Sequence, residues 1–314
     1  MSSRLITTLP ISPDLRSKLI QYGYYSLRDL DSTSTKALSE ELSISLDDAA
    51  LILEYRMPPP LVTRDAAEIL DAAKRRAKIK TGCNAIDAML GGGVECGMVT
   101  EVCGENGSGK TNFCMNVCAN VQALDSEGSF IARRMSQITE TLVARVNKRI
   151  EEDNLEEPKL SSTEILSNIH VYRASTPAEL VALTHLLPTL IASLDAKLIV
   201  VDSVAFPFRQ NFLDMAHRAR IVNGLAQRLA SIAGQLDVAV VAVNQMVARN
   251  GGGAGGDRGK LMPALGESWG HTCSHRVMLY QKEAARYATL FKSISMPEST
   301  VEFRITNDGL VDIK

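Results

Sequence analysis

No charge of one sign dominates this 314-residue chain: 34 Lys and Arg stand against 36 Asp and Glu, a formal net charge of −2 with a sequence pI of about 6.2. The near-balance excludes a polycation that holds nucleic acid by bulk charge and leaves room only for local basic loops. Cysteine is present, but its chemical patterns are not. Residues 83, 96, 103, 114, 118 and 273 form no Cys-x-x-Cys pair and no Cys/His cluster at zinc spacing. Cys114 and Cys118, four apart on one predicted helix, read as small core residues, and reduced cysteines suit the cytosol or nucleus. No run of 18 apolar residues occurs, the first residues lack a signal-peptide pattern, and no basic tail closes the sequence. What is present is ordinary for a globular protein: 45% hydrophobic and 22% charged residues, with length for one large α/β domain and a small one.

One stretch organises the rest. Gly104-Glu105-Asn106-Gly107-Ser108-Gly109-Lys110-Thr111 is G-x-x-x-x-G-K-[ST], the phosphate-binding loop. An apolar run at 98–103 predicts a strand before it, and 112–121 predicts a helix after it. Glycines let the backbone turn its N–H groups inward around phosphate oxygens, and the helix N-terminus adds partial positive charge. Lys110 is placed to reach the β- and γ-phosphates of ATP, and the Thr111 hydroxyl to ligate Mg²⁺.

Residues 1–57 read as a small helical domain. Ser12 with Pro13 starts one helix, whose apolar stripe is Leu15, Leu19 and Ile20 and whose stop is Gly23. Segments 26–30, 34–42 and 45–57 repeat the pattern of a polar starter followed by apolar spacing, with Asp47 and Asp48 in the first turn of the last. Pro58-Pro59-Pro60 opens a linker over 58–80, partly helical, in which Lys74, Arg75, Arg76, Lys78 and Lys80 make a basic run. That run reads either as a solvated face or as a nuclear-import or DNA-backbone contact.

From Thr81 the pattern changes. Ile86, Met89 and Leu90 lie at helical spacing, and Gly91-Gly92-Gly93 turns the chain toward the first core strand. Apolar runs at 169–173, 198–202, 238–244, 276–281, 288–292 and 301–306 read as further strands. Helical patterns between the earlier runs imply parallel βαβ units, and the close spacing of the last three implies antiparallel hairpins on one sheet edge, closed by Asn307-Asp308-Gly309. Asp202 follows four apolar residues, Leu198 to Val201, as a Walker B carboxylate that holds Mg²⁺ should.

Segments 124–130 and 198–202, then 201–209, 220–227 and 263–271 (Pro-Ala-Leu-Gly-Glu-Ser-Trp-Gly-His), resemble the RecA-family strand-exchange ATPases of the archaeal and eukaryotic branch, most closely the C branch of the eukaryotic recombinase paralogues. The resemblance covers nearly the whole chain. It implies an α/β fold: a RecA-type P-loop ATPase core over 81–314, with a mostly parallel central sheet and an antiparallel C-terminal edge, behind a small all-α helix-hairpin-helix-like N-terminal domain. It implies ATP and Mg²⁺ as cofactors, slow DNA-dependent ATP hydrolysis, and homologous-recombination repair in the nucleus, with the cytoplasm as a second location. The implied partners are single-stranded and branched DNA, other recombinase paralogues in a hetero-complex, and recombinase filament ends, with no membrane. By resemblance Glu127 is the water-activating glutamate and Gln245 the γ-phosphate sensor. His271 is the residue that couples ATP at a subunit boundary to DNA loops, although a lone histidine also reads as structural. The segment 292–297, ending at Pro297, is the cap over a neighbour's ATP.

Two regions are candidate DNA loops: Arg209, Arg218 and Arg220 after the Walker B strand, and the glycine-rich stretch 248–263 with Arg249, Arg258 and Lys260. The second also reads as an inert surface loop. Two departures matter. The chain from Thr111 to Glu127 is too short for a helix out, a turn and a full strand back, so a segment between Gln122 and Leu124 that relatives carry is expected to be missing. The linker also has Ala66 and Ala67 but no Phe between 59 and 80, and so lacks the aromatic of a Phe-x-x-Ala staple. That favours a hetero-complex over a self-assembled filament. The rival readings are an ATP-bound structural adaptor and an autonomous strand-exchange recombinase.

Overall fold

A computed structural model describes residues 5–31, 33–55, 65–121, 123–125, 132–154, 156–209, 214–248 and 261–313. The chain divides into two compact units, Met1–Ala72 and Ala73–Lys314.

The first unit is helical. Helices α1 (Pro13–Gln21), α2 (Thr35–Leu42) and α3 (Leu46–Glu54) each start on a serine whose hydroxyl accepts a backbone N–H three residues on: Ser12 from Leu15, Ser34 from Ala37, Ser45 from Asp48. Those bonds satisfy donors that a helix start leaves unpaired. The predicted element at 26–30 is a 3-10 turn, Leu27–Leu30, behind Ser26. Ile6, Leu19, Leu30, Leu38 and Ile52 form a fully buried cluster. Helix α4 (Ala66–Arg75) falls inside the predicted linker and has no buried residue.

The second unit is three-layered. A two-residue strand, β1 (Lys78–Ile79), precedes α5 (Asn84–Met89) and pairs antiparallel with β2 (Val94–Glu95). The glycine turn at 91–93 therefore feeds β2, not the core strand expected there, because β1 is present to pair with it, and glycine at 93 allows the close approach to the Ile79 carbonyl. The core follows as β3 (Val99–Gly104), α6 (Lys110–Ala119), β4 (Ala123–Asp125), α7 (Ala132–Glu152), α8 (Ser162–Ser167), β5 (Ile169–Val171), α9 (Pro177–Leu194), β6 (Leu198–Val201), α10 (Met215–Leu236), β7 (Ala239–Ala248), β8 (Leu261–Pro263), α11 (Gly266–Thr272), β9 (His275–Lys282), β10 (Ala285–Ser293), β11 (Ser299–Thr306) and β12 (Gly309–Val311).

The sheet order is β12-β11-β10-β9-β3-β7-β6-β4-β5, with β8 on β7. The strands β9, β3, β7, β6, β4 and β5 run parallel, and β10 to β12 add the antiparallel edge. Alternate strand residues face opposite layers. Val102, Val200, Val241 and Val277 pack under α6, with Phe113 and Val117 fully buried. Val99, Ile199, Val240 and Ala242 pack under α9, α10 and α11. Each fully buried large side chain in these layers contributes about 1.5–3 kcal/mol. Helix α9 is long and apolar enough to span a bilayer by length and composition alone, and its Leu180, Leu187 and Ile191 belong to this second layer.

After the phosphate loop the described chain carries one short strand. Helix α6 ends at Ala119, two residues before the predicted end, and β4 starts at Ala123 in parallel register with β5 and β6. Among the described residues β4 has three residues, and Glu127, to which the chain must return, lies outside them.

Candidate nucleotide site

The phosphate loop sits at the C-terminal edge of the parallel strands, where α/β sheets place ligands. Glycine is required at its ends. A Cβ on Gly104 would meet the Leu279 carbonyl oxygen, and one on Gly109, at φ +111°, would lie 2.6 Å from Ile305 Cδ1. Gly107 holds φ +77° at the apex. The loop is thus built tightly against β9 and β11.

Lys110 Nζ donates to the Gly104 and Glu105 carbonyls at 2.9 and 2.8 Å. Burial lowers its pKa from the ordinary lysine value, against the opposing pull of the Asp202 carboxylate. A partly desolvated ammonium whose acceptors among the described residues are backbone carbonyls is a strong site for an anion. The Thr111 hydroxyl donates to Asp202 Oδ2 at 2.9 Å, across 91 residues of sequence. The two predicted Mg²⁺ ligands therefore converge. Asp202 itself is buried and begins the cis Asp202–Ser203 peptide. Ser108 Oγ and Gln245 Oε1 are buried without a hydrogen-bond partner among the described residues. Gln245 is paired in register with Gly104. Positive-φ glycines, a desolvated lysine, a hydroxyl–carboxylate pair and the orphaned Ser108 hydroxyl, which can donate, together fit a triphosphate with its divalent cation. Among the described residues no group of three His, Cys, Asp or Glu side chains could hold a metal by itself.

The other candidates distribute as follows. Glu127, Arg249, Arg258 and Lys260 lie outside the described residues. Residues 249–260 join β7 to β8, which pair antiparallel from Met246 with Pro263 to Ala248 with Leu261. Arg209 is exposed at the end of a 3-10 turn, and Arg220 is exposed and paired with Asp214 at 3.7 Å. Arg218 donates to the Phe208 and Ala264 carbonyls at 3.2 and 3.4 Å, so it ties together the chain after β6 and the chain before α11. His271 is exposed near the end of α11, whose last carbonyls, at Gly270 and His271, receive Lys292 Nζ at 2.7 and 3.0 Å. Pro297 is exposed between β10 and β11.

Sequence reasoning missed several residues. Arg286 on β10 donates to the Gly107 carbonyl at 2.6 Å and braces the loop apex. Arg134 on α7 donates to Asn112 Oδ1 at 3.1 Å and the Asn307 carbonyl at 2.8 Å, beside the loop helix. Glu101, fully buried in β3, accepts from Asn244 and Arg276. No local spacing signals these contacts; the one mark in the sequence is the acidic Glu101 inside the run at 98–103 that reads as a strand.

Comparison with known proteins agrees with this geometry. The Rad51 family model matches residues 73–313. The chain is 32% identical to DNA repair protein RAD51 homolog 3 of Cricetulus griseus, over 98% of this chain and 92% of that protein. It is 34% identical to the protein of the same name from Dictyostelium discoideum, over 75% and 65% respectively. It is 32% identical to DNA repair and recombination protein RadA of Metallosphaera sedula, over 94% and 91%. The first alignment spans 342 positions against the 314 residues here, so it includes positions that fall opposite gaps in this chain. With a RecA-like α/β core and a family match over most of its length, the chain belongs to the Rad51 family.

Proposed function

We propose that this chain is an ATP-binding subunit of recombinase-paralogue hetero-complexes, a slow DNA-dependent ATPase acting in homologous-recombination repair in the nucleus. The observation that carries the reading is the convergence of Lys110, Thr111 and Asp202 on one glycine cradle. The names of the relatives, DNA repair proteins and a recombination protein, support the biological setting.

In this reading Lys110 and the loop N–H groups bind the β- and γ-phosphates, and Thr111 and Asp202 hold Mg²⁺, which supplies charge neutralisation at the phosphates. Glu127 orients and deprotonates the attacking water. Gln245, in register with Gly104 at the start of the loop, reads the γ-phosphate through its side-chain amide N–H donors. Arg209, Arg220, Arg249, Arg258 and Lys260 contact single-stranded or branched DNA through phosphates, and Arg218 positions the roots of both loops. His271 and Pro297 face the neighbouring subunit of the complex.

ATP turnover with and without single-stranded DNA, beside Lys110→Ala, tests this. Turnover that DNA stimulates and the substitution abolishes is expected. Tight ATP binding without turnover in every condition would replace the enzyme with an ATP-bound structural adaptor, and absence of nucleotide binding would remove both.

A further inference from the structure

Beneath the loop lies a buried polar network that no step above uses. Glu101, on β3 between β7 and β9, is completely buried. Its Oε2 accepts from Arg276 Nε, directly opposite on β9. Its Oε1 accepts from Asn244 Nδ2 on β7 at 2.7 Å. Asn244 Oδ1 in turn accepts the backbone N–H of Gln245 at 2.8 Å. The carbonyl of the same Gln245 accepts from Ala264 N at 2.8 Å. The Gln245 backbone is thus held on both sides, at the point where β7 leaves β3 and begins to pair with β8. Its side chain alone is left to respond.

The far end of the network is equally constrained. The Arg276 guanidinium stacks 4.8 Å from the Phe291 ring, and it occupies the space beside Gly270, where an added Cβ would lie 2.5 Å from Nη1. Gly270 precedes His271 on α11. A buried ion pair is a poor source of stability compared with apolar packing, so its presence here asks for a geometric role.

We propose that Glu101, locked by Arg276 and acting through Asn244, is a positioning residue that sets Gln245 for triphosphate recognition. This rests on Gln245 reading the γ-phosphate. A carboxylate with both oxygens engaged fixes the Asn244 amide orientation, and the amide orientation fixes the Gln245 peptide. Sub-ångström placement of a sensing amide is what separates a triphosphate from a diphosphate.

The test measures Kd for ADP and for a non-hydrolysable ATP analogue, and reads their ratio, which requires no turnover. Gln245→Ala is expected to lose the triphosphate preference at least fivefold. Glu101→Met with Arg276→Met removes both charges together, leaves no uncompensated ion, and is expected to lose the preference equally while melting at or above the wild-type temperature. Asn244→Ala, which leaves the ion pair in place, is expected to do the same and serves if the double variant does not fold. Glu101→Gln, which keeps an acceptor oxygen for Asn244, is expected to retain part of the preference. If Gln245→Ala loses the preference while Glu101→Met/Arg276→Met or Asn244→Ala keeps it within twofold, the positioning role is wrong. If Gln245→Ala itself keeps the preference, the sensor reading fails and takes the positioning role with it.

Discussion

The two units of this chain are specified by opposite kinds of contact. In the helical unit the decisive polar bonds are local: Ser12, Ser34 and Ser45 each cap a helix three residues ahead. In the nucleotide unit they are remote. Thr111 meets Asp202 across 91 residues, Asn244 meets Glu101 across 143, and Arg286 meets Gly107 across 179. A helix is a local object that needs its ends satisfied, whereas a site at the edge of a parallel sheet is assembled by strands that are neighbours only after crossover. Damage should differ accordingly: substitutions in the first unit should change stability without touching nucleotide affinity, and loss of the phosphate-loop contacts in the second should change nucleotide affinity more than stability.

Substitutions ordered by size would break that contrast if it is wrong. Ile52→Ala empties a fully buried position in the helical cluster and is expected to cost about 2–5 kcal/mol of that unit's stability. Chemical denaturation followed by circular dichroism measures it, and ATP affinity should stay unchanged. Lys110→Ala removes a charge-assisted phosphate contact, about 2–3 kcal/mol or roughly 30- to 150-fold in Kd for ATP, read by titration with a fluorescent analogue. Little change in melting temperature without nucleotide is expected.

Arg286→Ala frees the Gly107 carbonyl and is expected to weaken ATP binding by about tenfold, with Arg286→Lys recovering part of the loss. If it instead lowers the melting temperature and leaves Kd alone, the brace is structural only. Ser34→Ala should cost about 1 kcal/mol in the helical unit, and Ser34→Asp should restore most of it.

The smallest effect is a pH dependence in the second unit. His275 is buried, with Nδ1 3.0 Å from Ser293 Oγ, and burial lowers its pKa below the ordinary histidine value, partly offset by Glu95. The unfolded chain therefore binds this proton more tightly than the folded one. The stability that this residue contributes is complete above its unfolded pKa of about 6.5 and is lost as pH falls from there through the folded value. Melting temperature against pH should slope less steeply in His275→Gln.

Much of the architecture was legible. The serine caps, the phosphate loop, the apolar runs of β3, β6 and β7, and the closing hairpins all follow from periodicity and turn chemistry within a few residues. The errors arose where one element's fate depended on another. The glycine turn at 91–93 feeds β2 because β1 is there to pair with it. The helix after the loop stops at Ala119, which lets β4 begin with only three intervening residues. Arg218 remains a candidate DNA contact, and its guanidinium also spans two backbone carbonyls that come together only in the folded chain, a tie that no sequence spacing shows.

The sequence by itself determined the phosphate-loop pattern at Gly104–Thr111, because glycine freedom, a lysine and a helix start act over eight consecutive residues. It also determined the capped helices of the first unit, whose bonds close within four residues. Only the tertiary structure decided that Thr111 and Asp202 share one hydrogen bond, that Arg286 braces the loop apex, and that Glu101 has both oxygens engaged. Those contacts depend on strand order and register, which arise from burying apolar faces collectively and leave no mark in the spacing of any one segment.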